Sequence, residues 1–273
     1  MAATTYTVGN FKGGVGKTKS ATQLAYDNAK FKNRKTCLVD IDPQANATKI
    51  MAKTGNVREI KSTITDALQS NDILSCVVNI DGNLDLVACD TRFRAFSKYV
   101  NSFDDEKEKI QVLAKLLAPL KEIYDDIFID VPPTISEYTD NAMAASDYTI
   151  IAFQTTDESF DGVKKYVGYQ QYMVKTFGIK LQIIGIVACM IDPDDVLDED
   201  ILKEAKALYG DNVFSNIVRF QKRLKRYSRE GIYIKKYKNG NYDQWDYQAH
   251  NVFIQILNEM EARRKFLEAR VRM

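Results

Sequence analysis

Ten residues near the N-terminus constrain this chain more than any others: Asn10-Phe11-Lys12-Gly13-Gly14-Val15-Gly16-Lys17-Thr18-Lys19. They follow the alternating run Thr5-Tyr6-Thr7-Val8, which reads as a first β-strand. They precede Ser20-Ala21-Thr22-Gln23-Leu24-Ala25-Tyr26, whose apolar spacing suits a helix. A strand, a glycine-rich turn and a helix start in that order form a phosphate-binding loop. Glycines allow the backbone to curl with its N–H groups pointing inward at an anion. The helix N-terminus adds partial positive charge, Lys17 a full one, and Thr18 a hydroxyl suited to Mg²⁺. The loop also departs from the common pattern G-x-x-x-x-G-K-[ST], which would place glycine where Phe11 stands and has no counterpart to Lys12.

Two further stretches end in carboxylates where a parallel sheet binds its ligands. Lys35-Thr36-Cys37-Leu38-Val39 reads as a buried strand running into Asp40-Ile41-Asp42-Pro43-Gln44. Ile127-Phe128-Ile129 reads as another, running into Asp130-Val131-Pro132-Pro133. Phosphoryl transfer needs an oriented water and neutralised charge, which these aspartates could serve.

The three ordered motifs resemble those of the ParA, Soj and MinD ATPases. Lys-Gly-Gly-Val-Gly-Lys-Thr resembles that family's deviant P-loop, Asp-Ile-Asp-Pro-Gln-Ala-Asn its second signature, and Ile-Asp-Val-Pro-Pro its third. The resemblance implies ATP bound by Lys12, Gly13, Gly14, Val15, Gly16, Lys17, Thr18 and Lys19. It gives Lys12 a role in trans, at the nucleotide of a second copy. It makes Asp42 the residue that positions the attacking water. Thr18 and Asp130 would serve Mg²⁺, with Asp40 supporting the loop and the metal's outer shell. The family's I-P-R stretch, on the adenine side, reads Ile217-Val218-Arg219 here, so no individual adenine contact is assigned.

Strand and helix patterns alternate to about Val218 with no Pro/Gly/Ser-rich linker and no repeat. This predicts an α/β chain, a doubly wound, mostly parallel sheet with helices on both faces, as one P-loop ATPase domain over 1–273. Apolar residues Ile110, Leu113, Leu116, Leu117 and Leu120 predict a helix over Glu106–Tyr124, ended or kinked at Pro119. The run from Gln248 to Arg272 reads as a C-terminal helix ending in Arg263, Arg264, Lys265, Arg270 and Arg272.

Net charge is only +1, so distribution matters more than total. Between Arg219 and Lys238 stand nine cations, Arg219, Lys222, Arg223, Lys225, Arg226, Arg229, Lys235, Lys236 and Lys238, against the single acid Glu230. One basic surface on an otherwise acidic body suits a polyanion, here non-specific DNA. Tyr227, Tyr233 and Tyr237 are interleaved with it, to bond phosphates or to pack. Trp245 reads as a packing anchor.

Cys37, Cys76, Cys89 and Cys189 show no metal-ligand spacing, and His250 is the only histidine. A reduced, cytoplasmic setting is expected, and the first strand leaves no room for a signal peptide. The resemblance then implies a partition ATPase whose ATP-bound homodimer binds DNA and is released by a ParB-type partner. Its rival is a MinD-like membrane-cycling ATPase, gripping lipid through Phe266, Leu267 and Val271, though Glu259, Glu261 and Glu268 dilute that face. An iron–sulfur electron carrier of the nitrogenase-reductase type would need cysteines placed for a cluster. A P-loop tyrosine kinase would need a tyrosine cluster in the tail.

Overall fold

The computed structural model describes residues 2–192 and 194–271. Its strands are β1 (Thr4–Gly9), β2 (Thr36–Asp40), β3 (Val77–Asp81), β4 (Leu84–Val87), β5 (Asp126–Asp130), β6 (Tyr148–Gln154), β7 (Gln182–Ile191) and β8 (Val218–Arg219). They form one sheet in the order β3-β4-β2-β5-β1-β6-β7-β8. Only the β3–β4 pair is antiparallel. The helices are α1 (Lys17–Phe31), α2 (Asn46–Thr54), α3 (Ile64–Ser70), α4 (Phe96–Val100), α5 (Glu106–Ile110), α6 (Val112–Lys121), α7 (Glu137–Ala145), α8 (Asp157–Phe177), α9 (Val196–Tyr209), α10 (Lys222–Glu230) and α11 (Gln244–Val271).

Both faces of the sheet are covered, so its central strands are buried at every residue. In β5, Phe128 packs in one apolar cluster with Leu24 of α1 and Phe253 of α11. Its neighbours Ile127 and Ile129 point the other way, to Leu113 and Leu117 of α6 and Ala142 of α7. Chain order reverses around β1, which lies between β5 and β6. A ligand crevice is expected beyond the C-terminal strand ends at such a reversal.

The helix expected over Glu106–Tyr124 is two helices, α5 and α6, broken at Gln111 and not at Pro119, which stands inside α6. Asn141 of α7 accounts for the break. Its side chain accepts from the Leu113 N–H at 3.0 Å and donates to the Lys109 carbonyl at 2.9 Å, satisfying groups the interrupted ladder leaves over. The C-terminal helix starts at Gln244, before the expected Gln248, so Trp245 lies in its first turn. Arg272 and the side chain of Val271 lie outside the described residues. No helix of the described residues is long and apolar enough to cross a membrane.

Candidate nucleotide site and basic surface

The loop after β1 is held from both sides. The Asn10 side chain donates to the Ala152 carbonyl of β6 at 2.8 Å and accepts from the Lys12 N–H at 2.9 Å. Gly14 and Gly16 have φ of +80° and +98°, in the left-handed region that suits glycine. Gly16 is the residue before α1, and no side chain caps that helix. The first turn holds Lys17, Thr18 and Lys19 and no acid, the wrong charge for a helix N-terminus unless an anion is bound there.

Lys17 is buried, and its Nζ donates to the Lys12 carbonyl at 2.9 Å. Burial pulls its pKa down to about 8, against the opposing pull of Asp130 and Asp42. Lys12 is clamped by its backbone while its side chain is exposed.

Sheet register brings the two carboxylate motifs together. Asp40 and Asp130 are direct partners on β2 and β5, and the Ile41 N–H continues the ladder to the Asp130 carbonyl at 3.0 Å. Their environments then divide them. Asp40 accepts from the Thr48 N–H and hydroxyl, both at 2.8 Å, and from the Asp42 N–H at 3.0 Å. Burial raises its pKa to about 6, with those bonds opposing. Its oxygens are occupied in folding the loop onto α2. Asp42 sits at the crevice and accepts from the Gln44 N–H at 2.9 Å.

Asp130 is fully buried, and neither carboxylate oxygen has a hydrogen-bond partner. Burial first, then the charge of Asp40, drives its pKa well above the ordinary range. The Thr18 hydroxyl lies near enough to moderate that shift without bonding geometry. A buried carboxylate with both oxygens orphaned beside a hydroxyl fits a hydrated Mg²⁺. Among the described residues no three His, Cys, Asp or Glu side chains gather as a metal cage.

A cavity of about 220 Å³ opens beside Gly16, bounded by Ser20, Cys189, Met190, Phe220 and Leu224. Lys19, Arg219 and Lys225 also border it, so two of the cations assigned to DNA line this cavity. The four cysteines are free and buried.

The basic stretch divides in the same way. Arg219, Lys222, Lys225, Arg226, Arg229, Lys235, Lys236 and Lys238 are exposed. Arg223 is not available to a polyanion in this arrangement. Its guanidinium pairs with Asp243 and Asp246, both at 2.9 Å, and donates to the Tyr233 hydroxyl at 3.1 Å. Tyr227 is buried, donating to Asp246 at 2.7 Å. Sequence reasoning missed the single histidine's part here. His250 is buried against Asp27 of α1, beside the Tyr227 hydroxyl and the Tyr233 carbonyl. The Asp27 charge raises its pKa against the effect of burial. Nothing in local sequence pairs residues 27 and 250.

Two tail expectations also change. Arg263 donates to the Ile184, Asn212 and Val213 carbonyls, and Arg264 to Thr4 while pairing with Asp126. These arginines serve the fold. Trp245 is 64% exposed and so is no packing anchor.

The AAA-domain family matches residues 3–183. The chain belongs to that family, among the Soj- and ParA-like ATPases. The chromosome-partitioning ATPase Soj of Treponema pallidum is 29% identical over 84% of this chain and 87% of its own length. Two solved structures share the fold. A substituted form of Cyanothece McdA, in complex with ATP, superposes with a TM-score of 0.80 at 17% identity, over 95% of this chain and 97% of that one. The Borrelia burgdorferi putative plasmid partition protein bound to AMPPNP gives 0.73 at 24% identity, over 95% and 99%.

Proposed function

We propose that this chain is a cytoplasmic, Mg²⁺-dependent ATPase of DNA partition, acting as one ATPase unit over 1–273. The observation that carries the reading is the meeting of Lys17, Thr18, Asp42 and the orphaned Asp130 at the strand ends beside β1. Lys17 and the N–H groups of residues 13–19 hold the β- and γ-phosphates, and the cavity beside Gly16 takes the base. Thr18 and Asp130 would hold Mg²⁺, which would supply neutralisation of the phosphate charge. Asp42 orients a water against the γ-phosphorus. The bond to the ADP oxygen breaks as the bond to water forms, leaving ADP, phosphate and a proton. Asp40, saturated by Thr48 and the loop, keeps Asp42 in place.

The exposed Lys12 reaches the nucleotide of a second copy, so ATP closes a face-to-face dimer. That dimer presents two basic surfaces to DNA, at the nucleoid, and a ParB-type partner triggers hydrolysis and release. The membrane-cycling rival loses support because Arg263 and Arg264 are turned into the fold.

Two variants test the assignment by light scattering and phosphate release. Asp42→Ala should bind ATP, form a lasting dimer and lose most turnover. Lys12→Ala should keep much of its ATP affinity and stay monomeric. Parent-rate hydrolysis by Asp42→Ala, or ATP-dependent dimers of Lys12→Ala, would overturn the respective role.

A further inference from the structure

The basic stretch carries a feature that phosphate contact alone does not require. Among the described residues eight aromatic side chains are exposed, and five lie between 220 and 247: Phe220, Tyr237, Tyr242, Trp245 and Tyr247. Phe220 borders the cavity beside Gly16. The other four stand on the turn around Gly240 and on the first turn of α11. Aromatic surface left in water in such a cluster marks a recognition surface.

These rings are set among cations and on a firm support. Lys235 Nζ lies 5.1 Å from the centre of the Tyr237 ring, and Lys236 Nζ 5.7 Å from that of Tyr242. The turn is closed by the Tyr237 N–H on the Asn241 carbonyl at 2.8 Å. Asp243 accepts from the Tyr237 hydroxyl at 2.7 Å and from the Trp245 N–H at 3.1 Å. Asp243 and Asp246 are in turn fixed by Arg223. Asp243 and Asp246 are thereby consumed internally, and the outward charge is that of the exposed lysines and arginines against the single exposed acid Glu230. A polyanion is the partner that this charge complements.

We infer that this surface binds single-stranded nucleic acid, taking unstacked bases on Trp245 and its neighbouring tyrosines while Lys235, Lys236 and Lys238 hold the phosphates. The inference rests on the reading of the basic stretch as a polyanion site and adds which polyanion. Phosphates are offered by duplex and single strand alike. Base faces are free only in the single strand, where an aromatic platform takes any base. One stacked base strengthens binding about tenfold, which sets the preference expected over duplex.

Trp245 is the only tryptophan, so emission excited at a wavelength that tyrosine does not absorb reports on this surface alone. The full chain with ATP and Mg²⁺ is titrated with an oligothymidylate, a duplex of equal length, and phosphatidylglycerol vesicles. The oligothymidylate should quench the emission and bind about tenfold tighter than duplex. Measured by filter binding, which needs no tryptophan, Trp245→Phe should keep that preference. Trp245→Ala and Tyr247→Ala should each weaken oligothymidylate binding, leaving duplex binding and ATP hydrolysis intact. Equal affinity for both forms with unchanged emission would overturn the stacking role and leave the phosphate reading standing. Binding to neither form would overturn both readings. A blue shift with vesicles alone would assign the surface to a membrane and overturn the inference.

Discussion

Lys17 is kept charged in a place that disfavours charge. A phosphate beside it favours the ammonium form, so above about pH 8 nucleotide binding must bring a proton with it. ATP affinity should be level below that pH and then fall about tenfold per pH unit, until the bound-state pKa is reached. A fluorescent-nucleotide titration across that range measures this, and a level profile to about pH 9.5 would contradict the assignment. The stability effect has the opposite direction. The folded pKa lies below the unfolded one, so the unfolded chain binds more protons between them. The nucleotide-free protein should therefore gain stability from this group as pH rises from about 8 towards the ordinary lysine range. Individual residues were unequally legible for a similar reason. Lys17, Thr18 and Asp130 could be read because each belongs to a short motif, a strand end or the loop and helix start after it, whose local sequence fixes its place. Trp245 and Arg223 could not, because the groups that decide their exposure come from the turn and helix that follow.

At the scale of elements, α10 shows how one helix carries cations with unlike tasks. Lys222, Arg226 and Arg229 face outward, Lys225 borders the cavity beside Gly16, and Arg223 ties the helix to Asp243 and to Asp246 of α11. Arg223→Ala leaves Asp246 buried without its cation and should cost about 3 kcal/mol of stability in urea unfolding. Lys222→Ala with Arg226→Ala should leave the unfolding curve in place and weaken DNA binding. Similar curves for the two variants would mean that the ion pair does not hold α10. The sheet's inner strands were legible as near-continuous apolar runs, because burial on both faces writes itself into every residue. The antiparallel edge strand β3 was not, being half exposed and paired through a short turn at Gly82. The split between α5 and α6 was not either, since Asn141 imposes it from another helix.

For the whole molecule, two basic surfaces brought together by ATP differ from one in how they answer to salt. With roughly three or four phosphate contacts per copy, a dimer makes about six to eight, and log affinity should fall against log salt with a slope near −6. The ADP form should bind more weakly and with about half that slope. Filter binding of one duplex across a salt series, with ATP and with ADP, tests this. Equal slopes in the two nucleotide states would remove dimerisation as the DNA switch.

The central strand and the helix that seals its face lie far apart in the chain: Arg264 of α11 bonds Thr4 of β1 across 260 residues of sequence. In biosynthesis β1 leaves the ribosome first, and Ala249, Phe253, Ile256 and Met260 follow only after all eight strands. Until they emerge, the apolar face formed by Val8, Leu38, Phe128 and Ile150 has Leu24 and its neighbours of α1 as cover but lacks the share that α11 supplies, which leaves the nascent chain dependent on chaperones until its last helix is made.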